Sequence, residues 1–348
     1  MITNHGNNAL RDESTEPATL GLKFESERRG ALAEVAVKTE ARSRLLKIGR
    51  RRMGIGLIAA LSVAVSLGSS SGQQPASISP HELVRQTAEN EIHANNGGMR
   101  LMYRDHKETA HGSEVDLIVE TTEGTPRLLV ESDGKPLTPE QCKAEEARLD
   151  ALAHSPAELK KRQRAEREDT ERENRIMKAL PEAFLYEFEG TESGSEGMGS
   201  PGDQLVRLRF RSNPNYNPPS RTEQVLTGMR GYVLIDAGKK RIAKIDGTLF
   251  KDVTFGWGIL GRLDKGGRFV VQQGVVADHD WEITRMDIAF TGKELLLKKI
   301  VIKSNETFSD FSPAPANLTF AQGVELLKKE QAVLANQRQN ASSHPASK

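Results

Sequence analysis

The stretch GYVLIDAGKKRIAKID, residues Gly231–Asp246, places two apolar-rich segments on either side of a short polar turn. Gly231–Asp236 and Arg241–Asp246 have the length and the β-branched composition of strands. The turn between them, Ala237–Lys240, has the length and residue types of a hairpin connection. The stretch therefore predicts two antiparallel neighbours in a sheet.

The same pattern continues on both sides of this hairpin. Val206–Arg211 is the clearest further strand, because its apolar and arginine side chains alternate and so face opposite sides of a sheet. A Gly-, Ser- and Glu-rich segment, Glu189–Asp203, is expected to form a flexible loop before it. Further strands are predicted at Met99–Arg104, Glu114–Glu120, Arg127–Glu131, Gly267–Gln273, Trp281–Phe290 and Glu294–Ile302, with a hairpin turn at Thr291–Lys293.

One helix is predicted before the first strand and another after the last. Ser79, Pro80 and Glu82 form a helix start with a capping box, and the helix is expected to span about 80–95. A closing helix is expected at about 320–336, capped by Thr319, with Val324, Leu327 and Ala332 on one face. The tail after it, residues 338–348, is expected to be disordered.

Residues 138–180 have a different character. Thr138 and Ser155 each begin a capping box with proline at the first helical position, which predicts helices at about 139–153 and 156–179. The second helix has a highly charged middle, in which Ala165 is the only apolar residue between Leu159 and Ile176. Its opposite charges recur at i,i+4 spacing. The middle is therefore expected to be solvated or to dock a polar partner.

An antiparallel sheet with one apolar face must curl on itself or be covered. Of the 17 aromatic residues, 15 lie between Phe184 and Phe320, so the core is expected there. The helices at 80–95 and 320–336 are the available covers. The predicted fold is mainly β (α+β): a curled antiparallel half-barrel spanning 77–337, with plug helices and an inserted charged helical hairpin at 138–180.

The segment Gly49–Gly72 has the layout of an export signal: three arginines, an uncharged run from Met53 to Leu67, and a small-residue end. It is read as a cleaved signal peptide or as an uncleaved membrane anchor at 53–72, with a buried core helix as a third possibility. Residues 1–52 are either a disordered cytoplasmic tail or begin too early, with the true translation start at about Val37 to Leu46. In the first two readings the remainder faces the periplasm, free or anchored to the inner membrane.

Composition excludes several classes of function. Residues 53–348 contain 38 basic and 41 acidic residues, a net charge of −3, which does not favour nucleic-acid binding. The single cysteine, Cys142, allows neither an internal disulfide nor a cysteine-based metal cluster. His106, His111 and His279 have no third ligand at a persuasive spacing, and no strained nucleophile motif occurs. We therefore expect no catalytic site, no metal and no cofactor.

The order helix, strands, helical insert, strands resembles the LolA-like periplasmic half-barrels, a superfamily that includes outer-membrane lipoprotein carriers and RseB-like sensors. The most similar part is Gly231–Asp236 followed by Arg241–Asp246, in which a glycine opens a strand ending in Asp and the chain returns in an Ile-rich strand. This resemblance covers about residues 80–308. It implies a concave apolar face that binds acyl chains or a lipidated partner. The arginine by which carriers hold a lipoprotein has no counterpart that can be placed here.

The glycine-rich stretch Phe255–Phe269 lacks the spacing of a phosphate-binding loop. It is read either as a strand pair whose glycines permit bulges or close backbone approach, or as an apolar lip that carries Trp257, Ile259 and Leu260 at a cavity mouth. The candidate ligand contacts are Tyr232, Leu234, Phe255, Trp257, Phe269 and Trp281.

Two functional hypotheses follow. In the first, the protein is a non-catalytic periplasmic carrier or sensor that shelters an acyl chain under its plug helices, a state favoured by about 25 cal/mol for each Å² of apolar surface buried. In the second, it is a membrane-anchored interaction or sensor protein that docks a partner through the hairpin at 138–180 and binds no lipid.

Overall fold

The computed structural model describes residues 78–95, 98–256, 260–277, 280–294 and 298–343. The predicted export segment, residues 1–52, Trp257 and His279 lie outside the described residues. Among the described residues, no helix combines the length and the apolar character needed to cross a bilayer.

The described strands are β1 (Leu101–Thr109), β2 (Gly112–Val119), β3 (Arg127–Ser132), β4 (Lys135–Pro136), β5 (Phe184–Ser193), β6 (Gln204–Ser212), β7 (Met229–Asp236), β8 (Arg241–Leu249), β9 (Val253–Phe255), β10 (Gly261–Leu263), β11 (Arg268–Val275), β12 (Trp281–Glu294) and β13 (Lys298–Pro313). The helices are α1 (Pro80–Asn95), α2 (Pro139–Ala153), α3 (Pro156–Ala183), α4 (Arg221–Gln224) and α5 (Phe320–Ser343), with a 3-10 turn at Val225–Gly228.

The described strands form one open antiparallel sheet, which confirms the predicted fold class. Its order is β4-β3-β2-β1-β13-β12-β11-β8-β7-β6-β5, and β10 pairs with both β12 and β9. Most neighbours along the chain are also neighbours in the sheet. The exception that fixes the architecture is β13, which pairs with β12 on one side and with β1 on the other. This pairing joins the first strands of the chain to the last.

The sheet is strongly curled. Phe184 on β5 and Ile302 on β13 line the same cavity, although six strand steps separate β5 from β13 in the sheet order. At about 4.8 Å for each step, these strands would lie about 29 Å apart in a flat sheet. Curling therefore creates a concave face, whose largest cluster of apolar side chains joins β1, β5, β6, β12 and β13.

The β7–β8 hairpin confirms the prediction at Gly231–Asp246, and glycine has a specific role in it. Gly231 pairs with Gly247 on β8, which in turn pairs with Phe269 on β11. A Cβ atom added at Gly247 would lie 2.4 Å from the Phe269 ring. The absence of a side chain at Gly247 thus lets the Phe269 ring lie against the backbone of the concave face.

Two connections differ from the sequence prediction. Thr291–Lys293 is not a turn but the continuation of β12, because β13 and β10 both pair with this part of the strand. Likewise, β5 extends to Ser193, and the residues after it do not form an unattached loop. Gly199 receives a bridge from β11, with its amide donating to the Gln273 carbonyl at 2.7 Å. Non-local backbone pairing therefore orders segments whose composition is typical of loops.

The two predicted plug helices lie on opposite faces of the sheet. Helix α1 contributes Leu83 and Val84 to a cluster with the concave side of β6, β7 and β8. Helix α5 instead packs with α2 against Leu117 and Val119 of β2, whereas Ile118 between them belongs to the concave core. Since adjacent strand residues face opposite sides, α5 covers the outer face, and the prediction that it plugs the hollow is wrong.

The second cover of the concave face is α3. Its last turns carry Ile176, Ala179 and Leu180, which pack against the concave core. Its charged middle is not fully solvated, because Glu166 is 2% exposed and Asp169 is 4% exposed. One side of the middle of α3 packs against the β2–β3 connection of the same chain. The outward side of the helix, including Ala165, remains exposed.

The helix ends follow the sequence with two differences. Thr138 forms the predicted capping box with Gln141, whereas Ser155 occupies the cap position without a side-chain hydrogen bond. Helix α5 begins with reciprocal bonds between Thr319 and Gln322 and continues to Ser343, into the predicted tail. Ala332 is exposed, and Leu334 takes the buried position instead.

Candidate functional site

A cavity of about 390 Å³ lies between the concave face of the sheet and helices α1 and α3. This volume falls within the roughly 300–1,000 Å³ of small-molecule sites. Most of its wall is apolar. The apolar contacts include Ile176, Met177 and Leu180 from α3 and Val233, Ile245, Val271, Met286, Ile288, Phe290 and Ile302 from the sheet.

Helix α1 supplies one wall through a single face. Val84, Thr87, Glu91 and Ala94 are spaced by three or four residues and all line the cavity, as residues on one helical face do. Thr87 and Glu91 are almost fully buried, at 1% and 2% exposure. The face of α1 that lines the cavity is therefore apolar at Val84 and Ala94 and polar at the two turns between them.

Arg241 at the start of β8 holds the Glu91 carboxylate. Its Nε lies 3.1 Å from Glu91 Oε1, and the backbone amide of Ile242 donates to the same oxygen at 2.6 Å. Burial raises the pKa of Glu91, and the Arg241 guanidinium opposes that rise. Arg241 also donates to the Trp281 carbonyl at 3.3 Å and stands 5.6 Å from the centre of the Trp281 ring. These contacts fix a polar end of the cavity.

A surface groove adjoins this polar end. Arg241, Asp280 and Trp281 line both the cavity and the groove, which Asn90, Ser200, Pro201, Lys239 and Val275 complete. Asp280 is held by two backbone amides, those of Met99 at 3.0 Å and of Trp281 at 3.1 Å. Because the two spaces share these residues, we interpret this end as the mouth of the cavity.

Of the six residues expected to contact a ligand, the structure places two at the cavity. Phe269 and Trp281 line the cavity. Tyr232 and Leu234 lie on the outer face of β7, where Leu234 is buried with Leu205 and Ala243, and where the Arg207 guanidinium stands 3.6 Å from the Tyr232 ring centre. Phe255 is buried in the concave core but does not line the cavity. Trp257 lies outside the described residues.

Strand parity explains why Tyr232 and Leu234 point away from the hollow. Val233 and Ile235, which alternate with them on β7, line the cavity instead. Every apolar residue of this strand is buried or half-buried, because the segment around Gly199 covers the outer face near Leu205. With both faces apolar, the sequence of β7 did not reveal which set faces inward.

A second part of the concave face, between β1, β2, β3 and β13, is charged and buried. Arg127 donates to Asp105 and, at 2.9 Å, to Asp116. Burial and the neighbouring Glu306 raise the pKa of Asp105 to about 7, against the opposing effect of Arg127. Glu306 accepts from Ser304 Oγ at 2.7 Å. We call these five residues the polar sector.

Glu166 on α3 anchors the charged middle of that helix. One of its carboxylate oxygens accepts from the Thr125 amide at 3.3 Å, and Gln163 donates to the Glu123 carbonyl at 2.9 Å. Burial raises the pKa of Glu166 to about 7. The middle of the helix, which was expected to be solvated or to dock a polar partner, is therefore held by polar contacts with the β2–β3 connection.

The histidines do not assemble a metal site in the part of the chain that the structure describes. His106 is exposed, with Nε2 3.7 Å from Glu108, and His111 is exposed as well. No group of three or more His, Cys, Asp or Glu side chains within the described ranges is arranged to hold a metal ion. The cavity is thus the site with the clearest geometry for binding.

The comparisons with known proteins add no functional assignment. No protein-family model matches the chain, and no curated protein matches it. The functional interpretation therefore rests on the geometry of the cavity and on the sequence.

Sequence reasoning missed the residues that define the polar end, Thr87, Glu91 and Arg241. A signal for the first two was present, since both share the face of α1 that carries Val84. Arg241 sits at the first position of a predicted strand, and only the fold brings it to the fourth turn of α1.

Proposed function

We propose that this protein is a non-catalytic binding protein of the cell envelope, which shelters an acyl chain of a lipid or of a lipidated partner. The observation that carries the proposal is the apolar cavity under α1 and α3. Its volume and its opening at one polar end suit a single flexible chain better than a compact polar metabolite. The resemblance to LolA-like half-barrels and the predicted export segment at 53–72 support the same function, in the periplasm or anchored to the inner membrane.

Burial of a chain in this cavity supplies a favourable free energy of about 0.8 kcal/mol for each methylene group. Excluding two methylenes therefore weakens binding by roughly tenfold, since about 1.4 kcal/mol corresponds to a factor of ten. A side chain that fills part of the cavity should have at least this effect.

Adjacent residues of β13 provide a matched pair of variants. Ile302 lines the cavity, whereas Val301 is 58% exposed on the outer face. Ile302→Trp should weaken binding of the apolar fluorophore N-phenylnaphthylamine by about tenfold or more, and Val301→Trp should leave binding unchanged. Thermal unfolding of both variants controls for the cost of overpacking, about 1–3 kcal/mol.

Lipid extraction and mass spectrometry of protein purified from the envelope give the direct test. A stoichiometric acyl lipid that is lost in Ile302→Trp supports the proposal. A protein that carries no lipid and binds no apolar probe overturns it. The docking role of residues 138–180 stays a prediction. It would be supported if the full chain captures a partner and a variant with altered outward-facing charges on α3 does not.

A further inference from the structure

The polar end of the cavity contains a buried hydroxyl with no partner. Thr87 is 1% exposed, lines the cavity, and its Oγ1 makes no hydrogen bond. A threonine inside a helix commonly bonds to the carbonyl four residues before it, and Thr87 does not. A buried polar atom left without a partner carries a free-energy cost, so this hydroxyl points to a group that binds beside it.

The charge of the cavity wall constrains what that group is. Four carboxylates line the cavity, those of Glu91, Glu173, Asp280 and Glu282, against the guanidinium groups of Arg172 and Arg241. Arg172 is also paired with Asp169, and Arg241 with Glu91. Each arginine therefore already pairs with a carboxylate, and the formal charge of the lining is negative.

Arg241 already pairs with Glu91 through Nε, and the N–H groups of its Nη1 remain possible donors to a ligand. Beyond its contact with Glu91, its Nη2 lies 3.5 Å from the Gln273 side-chain oxygen and 3.3 Å from the Trp281 carbonyl. An anionic head group at the mouth would compete with Glu91 for Arg241 and would face Asp280. A head group that donates hydrogen bonds could use the carboxylate oxygens of Glu91 and Asp280 and the hydroxyl oxygen of Thr87 as acceptors.

We infer that the cavity selects a single-chain amphiphile whose polar end is a hydrogen-bond donor, neutral or cationic, and that this end lies beside Thr87, Glu91 and Asp280. A hydroxyl or an ammonium group fits this chemistry, and a free carboxylate does not. The inference rests on the proposed binding of an apolar chain. It adds the orientation of that chain, with the polar end at the mouth and the tail towards Ile288, Phe290 and Ile302.

Three ligands of equal chain length test the inference: decanol, decylammonium and decanoate, measured by displacement of N-phenylnaphthylamine from the full chain at neutral pH. We expect decylammonium and decanol to bind at least about tenfold more tightly than decanoate, the scale of one hydrogen bond to a charged group. Thr87→Val, which removes the hydroxyl and keeps the shape, should weaken decanol binding several-fold. Thr87→Ser should restore decanol binding. Decane, which has no polar end, should still displace the fluorophore from both variants.

The outcomes separate the inference from the proposed function. If decanoate binds as tightly as the other two ligands or more tightly, the inference fails while the proposed function stands. If Thr87→Val binds decanol as the parent protein does, the placement of the polar end is wrong. If neither the fluorophore nor any of the three ligands binds, the proposed function fails and the inference falls with it.

Discussion

Replacing Glu166 by glutamine should change how the stability of this protein depends on pH. The Glu166 side chain is 2% exposed, and burial raises its pKa from 4.5 to about 7. Because the folded-state pKa is raised, the favourable contribution of this carboxyl is fully present below its unfolded pKa. That contribution is lost as pH rises through about 7. The rise of the Glu166 pKa from 4.5 to about 7 corresponds to a decrease in the free energy of unfolding on the order of 3 kcal/mol between acid and alkaline pH.

Glu166→Gln keeps an oxygen that accepts from the Thr125 amide but carries no charge at any pH. We therefore expect the variant to be more stable than the parent protein by up to about 3 kcal/mol near pH 9, and about equally stable near pH 4. Urea unfolding of the full chain, followed by circular dichroism at several pH values, measures this difference directly.

Glu171→Gln is the matched control, because Glu171 lies on the same helix and is exposed. It should change stability by no more than about 0.5 kcal/mol at any pH. If the stability curves of Glu166→Gln and the parent protein run parallel from acid to alkaline pH, then Glu166 is solvated. The packing of α3 over the β2–β3 connection would then be wrong.

Two further substitutions test other contacts of the fold. Thr138→Ala should cost about 1 kcal/mol of stability in urea unfolding because it removes a helix cap, whereas Ser155→Ala should cost clearly less, since Ser155 makes no side-chain cap bond; equal losses would contradict the assigned caps. Arg127→Met should cost about 3–5 kcal/mol because it leaves the Asp105 and Asp116 carboxylates without their buried partner. That loss should shrink in acid as the pKa of Asp105, about 7, is passed; a loss below about 1 kcal/mol would mean that the polar sector is solvated.

Local sequence patterns predicted most of the elements but not where they pack. Ser79 and Thr138 cap helices as predicted, because a cap depends on residues within one turn. The length of β13 was underestimated: Ser304 and Glu306 read as polar, yet they are buried on the concave face. Their burial depends on the antiparallel pairing of β13 with β1, which lies about two hundred residues earlier in the chain.

The candidate site was predictable in kind and only partly in its residues. A hollow under helices followed from the one-sided strands, and Phe269 and Trp281 line it. The alternation on β7 could not distinguish Tyr232 and Leu234 from Val233 and Ile235, because both faces of that strand are apolar.

The sequence by itself determined most of the strands, most of the helix starts and the need of an apolar sheet for a cover, since these depend on alternation, caps and composition within short windows. Only the tertiary structure decided which helices cover which face. Helix α5 has the more apolar composition but packs outside, against the apolar outer side of β2. Helix α3 has the more charged composition but covers the hollow, because its last turns are apolar, Glu166 contacts the β2–β3 connection, and Asp169 pairs with Arg172 on the helix itself. Which partner a charged side meets is a property of distant segments, and no local pattern encodes it.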